Sequence, residues 1–234
     1  MNIERDSLIT ISFFFLCLTK RIGLSERQYN IMKIFVKIDT KIEIVCYNLN
    51  IGVKYMIEIT YFVHGTTQDN TEKKSTGWLP GELTEKGIQQ GIDLAHIIKD
   101  NHFDVVFCSD LKRAIESSKL NFYNRDIEII RDERLRECNY GDYNGQDSKL
   151  ANYSTHITER FPNGESLLDV EKRMRSFISY LKENYDNKKV AIVCHKAPQL
   201  AFDVIKNNMT WEEALANDWR IEHKWQPGWK YTIK

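Results

Sequence analysis

No sign of charge dominates this chain: 33 Lys+Arg stand against 33 Asp+Glu in 234 residues, a formal net charge of zero. A balanced surface offers no basic field to a nucleic acid, so any phosphate chemistry must come from a local pocket. Proline is scarce, with four residues in all and none in residues 1 to 55. Cysteine is sparse too. Cys17, Cys46, Cys108, Cys138 and Cys194 are odd in number, widely spaced and without a C-x-x-C pair, which suggests neither a disulfide framework nor a zinc site. A reducing, cytoplasmic setting fits them. Long apolar runs are missing as well: the longest, Leu8 to Leu18, holds 11 residues, whereas a membrane-spanning helix needs about 20. Its flanks, mixed in sign at Glu4, Arg5 and Asp6 and followed by Thr19-Lys20-Arg21, do not read as a secretory signal. No membrane association is expected.

What remains is 42% hydrophobic and 28% charged, enough apolar content for one or two globular domains. Residues 1 to 55 carry 8 Lys+Arg and 5 Asp+Glu, and their K-I-F-V-K-I-D and K-I-E-I-V-C segments alternate like short strands. Met56 then opens a more regular pattern. The first 55 residues therefore read either as sequence upstream of a true start at Met56 or as a real anchor or packing extension of the domain 56 to 234. In that domain Ile57 to Val63 is a β-branched and aromatic strand run, and Thr84 to Asn101 predicts a helix with Ile88, Ile92, Ala95 and Ile98 or Lys99 on one face. Phe103 to Cys108 reads as a strand buried on both faces, and Asp110 to Leu120 as a helix. Leu167, Met174, Ile178 and Leu181 stripe a further helix ahead of a strand at Lys189 to Cys194. This alternation predicts a three-layer α/β/α domain with a largely parallel sheet. In the tail, Trp211, Leu215 and Trp219 fall at helical spacing, so the cluster with Trp225 and Trp229 reads as packing onto the sheet.

In parallel-sheet domains ligands gather beyond the carboxyl ends of the strands. His64-Gly65-Thr66-Thr67 follows the first strand run, Ser109-Asp110 and then Arg113 follow the second, and His195-Lys196 follows the third. Two imidazoles with a guanidinium suit a phosphoryl group, one ring attacking while the other donors hold its oxygens. Cys108 and Cys194, at the ends of apolar strands, read as core. Four residues separate Cys108 from Arg113, one short of a Cys-x5-Arg phosphatase loop. His96, His102, His156 and His223 lack comparable context and read as surface or helix-face residues.

Six blocks in order, His64-Gly65-Thr66-Thr67-Gln68-Asp69-Asn70, Leu83 to Gln89, Ser109 to Ala114, Leu135-Arg136-Glu137 with Gly141 and Gly145, Pro162 to Ser166, and Val193-Cys194-His195, resemble the histidine phosphatase superfamily, the phosphoglycerate mutase-like proteins. The similarity covers about residues 56 to 200. It implies that His64 is the nucleophile forming a phosphohistidine and Glu137 the general acid, with Arg113 and His195 on the phosphoryl oxygens. It also implies that Thr67 and Asn70 line the same pocket, that Glu165 and Ser166 shape its wall, and that neither a metal nor a cofactor is needed.

Two positions depart from the pattern. Val63 stands where the family usually has arginine, and Lys196 where a small residue is usual. An uncompensated charge-assisted bond lost at Val63 would slow turnover by about one to two orders of magnitude, while the Lys196 ammonium is placed to bind phosphate in its stead. The resulting expectation is a phosphatase acting on a small phosphorylated metabolite. Glu137 and Gly164 lie only 27 positions apart, shorter than the matching segment of phosphoglycerate mutases, so mutase-type transfer is the lesser enzyme reading. The rival from another class is a pseudophosphatase that binds a phospho-ligand without turnover. Substrate identity and oligomeric state are not encoded in these features.

Overall fold

The computed structural model describes residues 32–38, 41–47, 56–218, 220–221 and 228–234, with side chains from 56 onward. Leu8 to Leu18, Trp219, His223 and Trp225 lie outside the described residues. The chain falls into two units, Met1–Lys54 and Tyr55–Lys234. In the first, β1 (Met32–Ile38) and β2 (Lys41–Tyr47) pair antiparallel, from Met32 opposite Tyr47 to Ile38 opposite Lys41.

The second unit is built on a five-stranded sheet. Its strands are β3 (Ile57–Val63), β4 (Val105–Cys108), β5 (Ile129–Arg131), β6 (Lys189–Cys194) and β7 (Trp229–Ile233), in the spatial order β5-β4-β6-β3-β7. All neighbours are parallel except β3 and β7. Every residue of β4 is buried, as are Val190 to Cys194 of β6, because helices cover both faces. One core cluster joins Tyr61, Phe107, Ile192, Leu167, Met174, Phe177 and Leu181. The other, with Phe62, Phe103, Val106, Phe122 and Val193, fills the opposite face of the sheet. The α/β layering read from the sequence is thus the observed architecture.

The helices are α1 (Gln68–Thr71), α2 (Glu85–Ile97), α3 (Lys112–Asn121), α4 (Leu167–Asn184), α5 (Lys196–Asn207) and α6 (Trp211–Ala216). Helix α2 is shorter than expected and rotated. Thr84 caps it by accepting from the Gly87 N–H, and the buried face is Gly87, Gly91, Leu94 and Ala95, while Ile88 is 42% exposed. The reason is close backbone approach. A Cβ on Gly65 would collide with the Gly87 carbonyl, and one on Gly87 with the Thr66 carbonyl, so a glycine face and not an isoleucine face meets the loop after β3. Helix α4 does bury Leu167, Met174, Ile178 and Leu181, as its periodicity predicts. Helix α3 starts two residues late because Ser109 Oγ accepts the Leu111 N–H. Helix α6 is short, with Trp211 buried and its indole N–H donating to Glu171 at 2.8 Å.

Among the described residues no helix is long and apolar enough to cross a membrane, and no group of three or more His, Cys, Asp or Glu side chains is arranged to hold a metal.

Candidate active site

Strands β3, β4 and β6 run parallel and end at one edge, which brings His64, the start of α3 and the start of α5 together. The backbone N–H of His64 continues the ladder to the Cys194 carbonyl at 3.1 Å. Its ring is then fixed from both sides. Nδ1 lies 2.8 Å from the Gly65 carbonyl, and since a carbonyl can only accept, Nδ1 carries the proton. Nε2 is left with its lone pair, toward which Arg113 Nε donates at 3.3 Å. Burial first, then the Arg113 charge, push the His64 pKa down to about 3. The ring is therefore neutral at physiological pH, with a nucleophilic Nε2 facing a guanidinium.

Arg113 is buried and held rigidly. Its Nη1 and Nη2 donate to the carbonyls of Leu79 and Gly77 at 2.9 and 2.8 Å. Ser117, one turn along α3, donates to the Arg113 carbonyl at 2.7 Å and accepts the Gly65 N–H at 3.0 Å, tying the histidine loop to the arginine helix. His195 lies fully buried with its ring centroid 5.1 Å from that of His64. Neither of its ring nitrogens has a hydrogen-bond partner among the described residues. Burial, reinforced by Arg113, holds its pKa well below the usual value, so it too is neutral. A buried imidazole without partners costs about 1–3 kcal/mol relative to a satisfied one. An orphaned ring donor and acceptor of this kind mark a place where a polar group fits.

Glu137 sits at the N-terminus of α5. One carboxylate oxygen accepts from its own neighbour Cys138 N–H at 2.8 Å, Ala197 N–H at 3.0 Å and the Tyr153 hydroxyl at 3.3 Å, and the other accepts Lys196 N–H at 3.1 Å. A carboxylate on the free amides of a helix start is favourably placed. The Glu137 carbonyl is clamped by Trp78 Nε1 at 2.7 Å and Arg173 Nη2 at 3.0 Å. Arg173 also pairs with Glu165 at 3.0 Å and reaches the Arg134 carbonyl at 2.7 Å.

His64, Arg113, His195 and Glu137 are thus brought together. The remaining candidates occupy other positions. Thr67 and Asn70 bond each other as the capping box of α1, Thr67 buried and Asn70 exposed. Glu165 holds the Asn139 N–H at 2.9 Å besides Arg173, and Ser166 caps α4 with Asp169. Lys196 directs its ammonium to Asp218 at 2.9 Å, with Tyr153 beneath it at 4.9 Å from the ring centroid. Cys108 and Cys194 are core residues whose thiols burial raises, that of Cys194 to about 12. His96 and His102 are exposed, but His156 stacks on Phe161 with centroids 3.8 Å apart. Sequence reasoning missed Trp78, Ser117, Tyr153 and Arg173. Only Arg173 left a signal, as a cation bordering the buried stripe of α4 beside Met174.

The family model described as histidine phosphatase superfamily (branch 1) matches residues 61–205. Phosphoserine phosphatase 1 of Hydrogenobacter thermophilus is 26% identical over 157 residues, covering 62% of this chain and 74% of that protein. A 2,3-bisphosphoglycerate-dependent phosphoglycerate mutase of Cytophaga hutchinsonii is 34% identical over 149 residues, covering 56% and 68%. Among solved structures, the α-ribazole phosphatase of Shigella flexneri superposes with a TM-score of 0.63 at 25% identity, covering 68% of this chain and 84% of that one.

Proposed function

Because the chain belongs to the histidine phosphatase superfamily, branch 1, we propose that it hydrolyses a small phosphomonoester through a phosphohistidine on His64. The observation that carries the reading is the His64 tautomer: Nδ1–H bound to the Gly65 carbonyl leaves the Nε2 lone pair beside a buried guanidinium and a partnerless imidazole. Glu137 takes up a proton, from solvent or from the ester monoanion, as substrate binds; in the first step Nε2 then forms a bond to phosphorus as the phosphorus–oxygen ester bond breaks, and the leaving oxygen takes that proton from Glu137. In the second, water attacks phosphorus, the nitrogen–phosphorus bond breaks, and the water's proton passes to Glu137. The Arg113 guanidinium and the His195 ring N–H stabilise the charge spread over the three equatorial oxygens. The buried thiols Cys108, Cys138 and Cys194 suit a reducing compartment, in keeping with a cytoplasmic enzyme.

The experiment is brief incubation with a reactive phosphodonor followed by quench and mass-spectrometric mapping. Acid-labile, base-stable phosphate on His64 is expected, and absent in His64→Asn. Label on a cysteine or serine overturns the mechanism. The mutase named among the relatives makes transfer to a second hydroxyl the competing fate of that phosphate. A panel of phosphometabolites, scored for inorganic phosphate against phosphorylated acceptor, decides between the two.

A further inference from the structure

Two buried phenols stand behind the acid, and the proposed mechanism uses neither. Tyr140 and Tyr153 both belong to the segment that joins Glu137 to the Gly164 block, and both are core residues, 6% and 7% exposed. Their hydroxyls lie 2.7 Å apart, and the Tyr153 hydroxyl lies 3.3 Å from Glu137 Oε1. A carboxylate only accepts, so Tyr153 donates to Glu137, and Tyr140 then donates to Tyr153. The rings are fixed. Phe161 meets the Tyr140 ring edge-on with centroids 5.2 Å apart, and Asn152 caps the short helical turn that carries Tyr153. Burial raises both phenols well above their ordinary pKa, so both hydroxyls keep their protons and remain donors.

We propose that Tyr153, backed by Tyr140, is a positioning residue of the acid, stabilising the Glu137 carboxylate as its proton passes to the departing oxygen. This inference rests on the phosphoryl-transfer reading above. In that step the Glu137 O–H bond breaks, the leaving oxygen gains the proton, and the electron pair stays on the carboxylate that Tyr153 meets. A hydrogen bond to an ionised acceptor is about twice as strong as one to a neutral acceptor, so the Tyr153 bond tightens while charge develops. That is the condition for lowering a barrier and not merely holding a ground state. Burial and the Tyr140 hydroxyl behind it strengthen the donor further. The charged groups around the carboxylate come from three helices: Arg113 faces it from α3, Arg173 from α4 through the Glu137 carbonyl, and the Lys196 ammonium from α5 across the Tyr153 ring. Glu165 lies beyond Arg173, which pairs with it. Tyr61 on β3, Cys194 on β6 and the adjacent Cys138 also face Glu137, and burial keeps all three neutral, as it does His64 and His195. Removing one phenol oxygen alters none of these groups, so a change in pH dependence reports the Tyr153 bond.

The test is the pH dependence of kcat of the full chain on β-glycerophosphate, an alkyl ester, and on para-nitrophenyl phosphate, an aryl ester. In Tyr153→Phe, turnover of the alkyl ester should fall by about three- to tenfold, the worth of one hydrogen bond to the acid. The limb on which that turnover is lost as the acid ionises should move to higher pH by about half to one unit. Turnover of the aryl ester should stay within about twofold, because its leaving group needs little protonation. The combination is diagnostic: a weaker acid gives up its proton more slowly but keeps it to higher pH, whereas a loosened fold slows both esters alike. Tyr140→Phe should act in the same direction by less and add little to Tyr153→Phe, since it works through that residue. It also carries the test should Tyr153→Phe not fold. Equal losses on both esters, or a limb that does not move, overturn the proposal. If the wild type turns over both esters and labels His64 while Tyr153→Phe matches it, the positioning role alone has failed. If the wild type neither turns over the esters nor labels, the phosphatase reading has failed and the role falls with it.

Discussion

Replacing Glu137 by glutamine separates the structural work of this side chain from its chemical work. The carboxylate accepts four hydrogen bonds, three at the oxygen shared by Cys138, Ala197 and Tyr153, and one at the oxygen facing Lys196. A glutamine can keep the crowded position by presenting its carbonyl there. Its NH2 then faces the Lys196 N–H, so one bond is lost and two donors are opposed, a cost of about 1–3 kcal/mol in stability. Chemistry is affected differently. An alkyl ester needs a proton on its departing oxygen, and an amide has none to give, so turnover of an alkyl phosphate should fall by about 10² to 10⁴. An aryl phosphate whose phenolate leaves unaided should keep its rate within about tenfold, because His64, Arg113 and His195 are untouched. The assay is kcat/KM for a matched alkyl and aryl pair, with chemical denaturation recording the stability term separately. Equal losses on both esters would refute the acid role and reduce Glu137 to a cap of α5. The other carboxylates near the site are poor substitutes: Asp110 is bound by Arg136, at 2.8 Å from its Nε, and Glu165 by Arg173.

Two further outcomes follow from the same geometry. His64 and His195 are held neutral in the folded protein, with pKa values of about 3 and well below 6.5, whereas both protonate near pH 6.5 when unfolded. Between those limits the unfolded chain binds more protons, so unfolding free energy should fall as pH falls from about 6.5 toward 3, by at most about 1.4 kcal/mol per pH unit for each ring. Urea midpoints from pH 7 to 4 should show this loss, His64→Asn should make it shallower, and midpoints identical in both proteins would contradict the buried neutral imidazole. Gly65→Ala should destabilise the domain by about 1–3 kcal/mol or more, since its Cβ meets the Gly87 carbonyl, which is backbone and cannot swing aside. A melting temperature unchanged by Gly65→Ala would show that α2 does not press on the loop after β3.

The parts of this molecule that the sequence declares are those governed by local pattern. A strand buried on both faces shows itself as an unbroken apolar run, and the residue after it must leave the sheet. The sequence alone therefore places His64, Ser109 and His195 at one edge. The parts it conceals depend on what faces the chain from a distance. The apolar periodicity of 84 to 101 points to Ile88, but a helix can also turn toward its neighbour the face with the least side chain. The Gly87 face does so: the backbones at Gly65 and Gly87 approach more closely than a Cβ would allow, and Ile88 is left 42% exposed. Thr67 and Asn70 show the converse. Their polar spacing fits both a ligand wall and a helix cap, and a three-residue separation with side chains exchanged onto backbone N–H groups is the capping-box geometry.

The charges were the least legible of all. Arg113 and Arg173 each find partners 30 or more positions away, as in the bond of Arg113 to Gly77 across 36 positions and of Arg173 to Glu137 across the same interval. Neither spacing nor composition records such pairings, because a guanidinium satisfies itself with whatever carbonyl or carboxylate the fold delivers. A balanced total of 33 charges of each sign therefore says nothing against a locally cationic pocket. Here Arg113 is lodged among the carbonyls of Leu79 and Gly77, which cannot neutralise it. The electrostatics of the site are set by this partitioning and not by the net charge of the chain.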